Sequence, residues 1–186
     1  PGIQPVSTGD VDRLVDGASA SPHSILGAHP YDGGVTIRVL RPLAKEVIVV
    51  TPEGRHPMVH EHRGVWVAVV PGDVVPAYTI DVDYGQGLIP ADDPYRYLPT
   101  LGELDLHLIG EGRHEELWKT LGAHVRTYDS PFGPITGTSF AVWAPNAEGV
   151  RVVGDFNGWD GTGHPMRSMG STGIWELFIP NVGDGT

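Results

Sequence analysis

The sequence contains two copies of one strand-rich unit, and this duplication restricts the possible folds more than any other feature. Both copies carry a proline turn, a strand, a His-Pro-Met tripeptide and a Gly-hydrophobic-Trp strand, in that order. The matched pairs are Pro42 and Pro145, Val47 and Val150, His56 and His164, Trp66 and Trp175, and Pro71 and Pro180. Their separation grows from 103 to 109 residues along the copy, so the second copy contains an insertion. Short strands in this order predict two tandem immunoglobulin-like antiparallel β-sandwiches.

The length of 186 residues allows two domains of about 90 to 100 residues each. We expect an N-terminal β-sandwich at residues 1–100, a connector with a short helix at residues 101–130, and a second sandwich at residues 131–186. Pro180 aligns with Pro71, so the second copy stops before the counterpart of the strand at residues 78–84. We therefore expect the second sandwich to be incomplete and the sequence to be part of a longer polypeptide.

Alternation of apolar and polar residues locates the strands, and a 26-glycine, 17-proline composition fits many short strands joined by turns. The predicted strands are residues 35–41, 47–50, 65–70, 78–84, 139–144, 150–154 and 174–179. Val11, Leu14 and Val15 are spaced for a short amphipathic helix that Gly17 ends. The segment at residues 22–30 is predicted to be a structured loop.

The insertion in the second copy contains Gly154-Asp-Phe-Asn-Gly-Trp159, where the first copy has only Thr51-Pro-Glu-Gly-Arg55. Glycine, asparagine and aspartate favour a turn at this place. The turn leaves a large aromatic side chain at the end of a strand, where its ring can face solvent. This loop is the main difference between the two copies.

The charge and composition exclude several classes of partner. The net charge of −11 repels phosphate backbones and anionic headgroups, so we expect no nucleic-acid and no membrane partner, whereas neutral ligands remain compatible. The longest apolar run, residues 65–70, is far shorter than the roughly 20 residues that span a bilayer. His60 and His62 share a strand face without a third ligand at a supporting spacing, so no metal and no other cofactor is expected. The absence of cysteine mildly favours a reducing compartment.

Five segments in the same order resemble the N-terminal part of bacterial glycogen branching enzymes. They are residues 22–29, 95–108, 112–124, 140–147 and 154–159. The resemblance implies that the first copy is the extra N-terminal sandwich of that family and the second is the glycan-binding sandwich before its catalytic barrel. It also implies a cytoplasmic enzyme that cuts α-1,4-glucan and transfers the released chain to a 6-hydroxyl, forming an α-1,6 branch. The partners would then be α-glucan and the protein's own catalytic barrel.

We expect no catalytic residues in this segment. Retaining transfer needs two carboxyl groups about 5 to 5.5 Å apart across the scissile bond. The adjacent pairs Asp92-Asp93 and Glu115-Glu116 lie in polar segments, where solvated charge or a helix start explains them. Neither pair is assigned a catalytic role.

The candidate glucan-binding residues are Trp159, Asn157 and Asp155. Sugar rings present apolar C–H faces and a rim of hydroxyls, which suit an exposed aromatic ring flanked by polar side chains. Packing of Trp159 against the core or the barrel, and turn capping by Asn157 and Asp155, stay open as alternatives.

The other four tryptophans have different expected roles. Trp66 and Trp175 lie in alternating apolar strands and are predicted to be core residues. Trp118 is expected to anchor the connector helix at residues 115–121, and Trp143 is either core or interdomain surface. Two further functions remain open: the same sandwich in a debranching or trehalose-forming hydrolase, and a noncatalytic binding module of immunoglobulin type.

Overall fold

The computed structural model describes residues 1–97 and 117–185, and the chain divides into two compact units. Unit 1 comprises Pro1–Val15 and His23–Arg96, and unit 2 comprises Asp16–Pro22 and Tyr97–Thr186. Each unit contains one copy of the sequence repeat. The structure is therefore described one unit at a time.

Unit 1 is a β-sandwich with one helix, as the sequence predicts. Its elements are α1 (Thr8–Val15), β1 (Gly27–Tyr31), β2 (Gly34–Leu40), β3 (Glu46–Thr51), β4 (Gly54–Pro57), β5 (Val59–His62), β6 (Val65–Pro71), β7 (Thr79–Asp83) and β8 (Leu88–Ala91). All pairings are antiparallel, in the orders β1-β2-β6-β5 and β4-β3-β7-β8. A single 3₁₀ turn lies at Pro94–Arg96, and another at Pro22–Ser24, the first residue of which belongs to unit 2.

The inward faces of both sheets of unit 1 supply its core, because alternate side chains of a strand point to the same face. The buried residues of this core are Val35, Ile37, Val39, Val47, Val49, Met58, Trp66, Ala68, Val70, Tyr78, Ile80 and Val82. Helix α1 begins where the Ser7 hydroxyl accepts a hydrogen bond from the N–H of Asp10 at 3.1 Å. It buries Val11 and Leu14, as its apolar spacing predicts.

The described part of unit 2 contains one four-stranded antiparallel sheet. Its strands are β9 (Gly122–Tyr128), β10 (Ile135–Trp143), β11 (Arg167–Ser168) and β12 (Ile174–Pro180), in the order β11-β12-β10-β9. Single 3₁₀ turns lie at Leu117–Lys119, Asp155–Asn157, Gly161–Gly163 and Gly170–Thr172. Every residue of the central strand β12 is buried.

The two copies agree down to individual hydrogen bonds. In each unit the residue before the turn proline makes two hydrogen bonds to the tryptophan strand. Its carbonyl accepts the indole N–H of the tryptophan, and its own N–H donates to the carbonyl of the glycine that lies two positions before the tryptophan. The bonds are Trp66 to Arg41 (3.2 Å) and Arg41 to Gly64 (2.8 Å) in unit 1, and Trp175 to Ala144 (3.0 Å) and Ala144 to Gly173 (2.8 Å) in unit 2. Both tryptophans are buried, so the prediction of two core tryptophans is confirmed.

Three expectations about secondary structure and exposure are wrong. Residues 150–154 form no strand, since Arg151 makes only an isolated bridge to Pro165. Residues 22–30 are not all loop, because strand β1 begins at Gly27 and pairs with β2. Trp118 does not anchor a helix: it lies in a single 3₁₀ turn and is 70% exposed. Glu115-Glu116 and the start of the predicted connector helix lie outside the described residues.

The acidic pair Asp92-Asp93 is buried rather than solvated, which corrects the sequence-based expectation. Asp93 is only 1% exposed; it accepts the hydroxyl of Tyr78 at 2.6 Å and the N–H of Tyr95 at 3.0 Å. Asp92 accepts two hydrogen bonds from the guanidinium of Arg96, at 2.5 and 2.9 Å. Buried carboxylates require such partners, and one of them, Tyr78, lies 15 residues before Asp93 in the sequence. The pair therefore fastens the Pro94–Arg96 turn to unit 1.

Candidate functional site

The insertion of the second copy, residues 154–163, forms a compact loop that we call the aromatic loop. Two 3₁₀ turns shape it, and Gly158 and Trp159 between them both have a positive φ, of 62° and 61°. Glycine adopts this left-handed conformation freely, whereas a bulky side chain such as tryptophan pays about 1–2 kcal/mol for it. A hydrogen bond of 2.9 Å from the N–H of Trp159 to the carbonyl of Gly154 holds the backbone there.

Asn157 fixes the aromatic loop from within. Its side-chain oxygen accepts the N–H of Gly154 at 2.9 Å, and its side-chain nitrogen donates to the carbonyl of Val152 at 2.9 Å. The same nitrogen lies 3.1 Å from Nδ1 of His164. This is the turn-capping role that the sequence left open for Asn157, and it engages both donors of the amide.

The indole of Trp159 is exposed but held in a defined orientation. Its Nε1–H donates to Oδ1 of Asp155 at 2.8 Å, and the residue is 67% exposed. Asp155 is itself exposed. The structure thus brings Trp159 and Asp155 together as a ring with an acidic edge.

An open cleft of about 340 Å³ lies beside this ring. It is lined by Ala123, Val125, Thr138, Phe140, Val153, Gly154, Asp155, Phe156, Trp159 and residues 182–185. Phe156 supports the loop beside it, since its ring centroid lies 6.3 Å from that of Phe140 and 5.7 Å from that of His164. Apolar surface with two carboxylates, Asp155 and Asp184, is suited to a neutral ligand with apolar faces and hydroxyl groups.

Sequence reasoning did not identify Phe156 and His164 as supports of the loop. The repeat contained a signal for His164, because a histidine occupies the matching position, His56, in the first copy. In the structure, Nε2 of His56 lies 3.5 Å from the Thr51 hydroxyl, next to the corresponding turn of unit 1. Trp143, left undecided by the sequence, is 62% exposed at the end of β10. By strand alternation it points to the face opposite Phe140 and the cleft.

Three titratable groups with shifted pKa values, Asp93, Tyr78 and Asp160, make contacts within the protein. Burial raises the pKa of Asp93, and burial followed by the nearby charge of Asp93 places the pKa of Tyr78 well above its usual range. The side-chain and backbone hydrogen bonds from Thr162 lower the pKa of Asp160, which begins the Gly161–Gly163 turn. None of these three groups lines the cleft beside Trp159.

The two histidines that share a strand face have protein partners. Nε2 of His62 lies 2.8 Å from Asp12, and Nε2 of His60 accepts the N–H of Gly64 at 2.9 Å. Within residues 1–97 and 117–185, no three His, Cys, Asp or Glu side chains are grouped as a metal ion would require. No helix in this part of the chain is long and apolar enough to cross a membrane.

Two families match the chain, one over each copy. Residues 7–95 match the family described as alpha-1,4-glucan branching enzyme GlgB, N-terminal domain. Residues 120–186 match carbohydrate-binding module 48, also described as isoamylase N-terminal domain. The resemblance drawn from the five sequence segments is therefore confirmed.

Proteins with high sequence identity to this chain carry the name of the first of these families, 1,4-alpha-glucan branching enzyme GlgB. A 1,4-alpha-glucan branching enzyme GlgB of Thermobifida fusca (strain YX) is 60% identical over 178 residues, covering 95% of this chain and 24% of that protein. GlgB 2 of Streptomyces coelicolor is 56% identical over 183 residues, covering 98% and 24%. The chain thus spans about a quarter of the length of these relatives. A pullulanase from Anoxybacillus sp. LM18-11 in complex with maltotetraose is 26% identical over 44% of this chain and 13% of its own, with a TM-score of 0.36.

Proposed function

We propose, on the premise that this chain is the N-terminal region of the 1,4-alpha-glucan branching enzyme family, that unit 2 holds α-glucan on the indole of Trp159. The observation that carries the proposal is an exposed ring whose orientation a hydrogen bond to Asp155 fixes in advance. A ring that is already oriented loses little conformational freedom when a ligand binds. A glucosyl ring would place its C–H face on the indole, with Asp155 accepting a hydroxyl.

The charge of the chain is compatible with this ligand. Glucan is neutral, so the net charge of −11 neither attracts nor repels it. Asn157 acts in this proposal as a capping residue whose side chain shapes the loop from inside, because both donors of its amide are engaged within the protein. Trp159 and Asp155 are then the sugar-contacting members of the three candidates.

The activity that we propose for the whole protein is the cleavage of α-1,4-glucan and transfer of the released chain to a 6-hydroxyl. The match of residues 7–95 to the GlgB N-terminal domain favours this activity over a debranching or trehalose-forming hydrolase. The catalytic carboxylates and the barrel that carries them would lie outside these 186 residues, and we assign the protein to the cytoplasm on the same resemblance. We also keep the domain limits 1–100, 101–130 and 131–186 as a proposal, in which strand β9 of the connector range adds to the sheet of the second sandwich.

The decisive variant is Trp159→Ala in the full-length protein. The ring–sugar contact contributes about 0.5–1.5 kcal/mol by analogy with aromatic pairs, so we expect the dissociation constant for maltoheptaose to rise about two- to twelvefold. The melting temperature should stay nearly unchanged, since the side chain is largely exposed. Isothermal titration calorimetry and thermal unfolding measure the two quantities.

Trp143→Ala is the matched control, because Trp143 is similarly exposed but points to the other face of the sheet. Its affinity for maltoheptaose should equal that of the wild type. A Trp159→Ala protein with unchanged affinity and a large loss of stability would show that the ring is a packing residue. Equal losses of affinity in both variants would show that the cleft is not the site.

A further inference from the structure

We propose that His164 is a positioning residue for glucan binding, which orients the Trp159 indole by bracing Asn157 through Nδ1. This inference rests on the function proposed above, since the indole is taken as the sugar platform. His164 follows the aromatic loop directly and is not among the residues that line the cleft, whereas Phe156, with which its ring pairs, does line it. Its effect on a ligand would therefore be transmitted through the loop.

The orientation of the Asn157 amide follows from two backbone groups of known polarity. The N–H of Gly154 is a donor, so the Asn157 atom that faces it at 2.9 Å must be the oxygen. The carbonyl of Val152 is an acceptor, so the atom that faces it at 2.9 Å must be the nitrogen. The amide is thereby fixed without reference to the histidine.

The remaining hydrogen of this nitrogen determines the state of the imidazole. It is directed to Nδ1 of His164 at 3.1 Å, and a nitrogen that accepts a hydrogen bond carries no proton. The brace therefore requires the neutral imidazole with its proton on Nε2. If Nδ1 carried a proton, the N–H of His164 and the amide N–H of Asn157 would both be donors, and no hydrogen bond could form between them.

Two contacts connect this imidazole to the turn that carries the acidic edge of the site. Its ring lies edge-on to Phe156, with centroids 5.7 Å apart and planes at 81°, and its Nδ1 meets Asn157. These are two of the three residues of the Asp155–Asn157 turn. The third, Asp155, accepts the indole N–H of Trp159. Loss of the hydrogen bond between His164 and Asn157 should make this turn more mobile, and the orientation of the Trp159 indole less fixed.

Unit 1 provides an internal comparison. His56 is the repeat partner of His164, and its Nε2 lies 3.5 Å from the Thr51 hydroxyl, at the edge of hydrogen-bonding distance. The turn that follows Thr51 has no aromatic side chain. The same histidine position thus supports a plain hairpin in one copy and the aromatic loop in the other.

The test compares His164→Leu, which lacks an acceptor, with His164→Asn, whose side-chain oxygen occupies roughly the place of Nδ1. In the full-length protein, His164→Leu should weaken maltoheptaose binding about two- to threefold, less than Trp159→Ala does, because the ring remains and only its orientation before binding is lost. His164→Asn and the matched control His56→Leu should both bind maltoheptaose as the wild type does.

A second measurement separates this inference from the proposed function. Hydrogen–deuterium exchange of residues 154–163 without sugar should be faster in His164→Leu and near wild type in His164→Asn, whether or not the loop binds glucan. If Trp159→Ala binds maltoheptaose normally, the proposed function fails while the exchange result still tests the brace. Equal exchange in His164→Leu and the wild type, or equal loss of binding in His164→Leu and His164→Asn, would overturn the positioning role.

Discussion

The turn at residues 51–54 in unit 1 and the aromatic loop in unit 2 follow matching segments of the two copies, yet they differ in strand pairing and in backbone conformation. In unit 1 the strands β3 and β4 stay paired up to Thr51 and Gly54, which closes a short hairpin. In unit 2 the pairing is reduced to the bridge between Arg151 and Pro165, and the inserted residues fold into two 3₁₀ turns. The buried tryptophan and its hydrogen bonds are the same in both. The scaffold therefore tolerates the insertion without rearranging its core.

Both units have a cleft beside this turn, and the clefts differ in chemistry more than in size. The cleft of unit 1 has a volume of about 490 Å³ and is lined by residues 51–53 and 70–77, without an aromatic side chain. The smaller cleft of unit 2 is lined by Phe140, Phe156 and Trp159. If ring stacking decides sugar binding, the larger cleft should not bind glucan. Cleft volume alone is then a poor guide to the site.

The largest effects are expected from the two core tryptophans, whose loss tests whether the copies are independent units. Trp66→Ala and Trp175→Ala should each destabilise their own unit by about 3–5 kcal/mol, as other buried aromatic truncations do. Met58 and Met166 are buried in units 1 and 2, so the urea dependence of their oxidation by peroxide reports each unit separately.

The prediction is a shift of the Met58 transition alone in Trp66→Ala and of the Met166 transition alone in Trp175→Ala. Replacement of either tryptophan by phenylalanine is the control, since it keeps an aromatic ring in the core, loses the indole hydrogen bond and part of the buried volume, and should shift the same transition by less. Equal shifts of both methionines in either variant would show that the chain unfolds as one cooperative body.

An intermediate effect is expected from Tyr78→Phe, which removes a buried contact within unit 1. The phenol donates to the buried carboxylate of Asp93 at 2.6 Å, and leaving a buried acceptor with one partner fewer costs about 1–3 kcal/mol. The Met58 transition should move to lower urea, whereas the Met166 transition should stay in place.

The loss in Tyr78→Phe should depend on pH. Burial raises the folded pKa of Asp93 above its ordinary 3.8, so the folded state binds a proton more readily than the unfolded state does. The stability gained from this proton binding is full below pH 3.8 and is lost as the pH rises through the folded pKa. Removing the phenol donor raises the folded pKa further. The destabilisation should thus be larger at pH 7 than near pH 4, and a pH-independent loss would contradict the role assigned to Asp93.

The smallest effect is expected from Asp155→Ala, which keeps the indole of Trp159 but frees its orientation and removes the proposed acceptor of a sugar hydroxyl. Each of these two exposed interactions should contribute near the lower end of about 0.5–1.5 kcal/mol. Maltoheptaose affinity should therefore fall about fivefold. Glu53→Ala removes an acidic side chain from the corresponding turn of unit 1 and should have no effect. A loss in Glu53→Ala as large as in Asp155→Ala would remove the distinction between the two clefts.

The repeat and the alternating apolar residues predicted most of unit 1. The apolar spacing predicted the buried helix face at Val11 and Leu14 and the buried face of β7 at Ile80 and Val82. The repeat also predicted Trp66 as a core residue. These patterns are local and follow directly from strand and helix periodicity. The insertion and its exposed aromatic ring were also visible in the sequence, because a second copy was available for comparison.

Contacts between distant residues explain what the sequence did not predict. Asp93 is buried because Tyr78, 15 residues earlier, reaches it, and no pattern around Asp93 records that contact. Residues 150–154 have the alternation of a strand, but the Asn157 side chain bonds to Gly154 and Val152 in competition with a ladder. The role of His164 likewise depends on a contact across the aromatic loop, although its partner His56 pointed to the same place.

The central claim is that the inserted indole of unit 2, and no part of the unit 1 cleft, receives α-glucan. The most direct measurement is a crystal structure of the full-length protein with maltoheptaose. We predict a glucosyl ring lying parallel to the Trp159 indole at carbon–carbon distances of about 3.5–4.0 Å, with a hydroxyl on Asp155 and the unit 1 cleft empty. A sugar in the cleft lined by residues 51–53 and 70–77, with Trp159 covered by other protein side chains, would contradict the account.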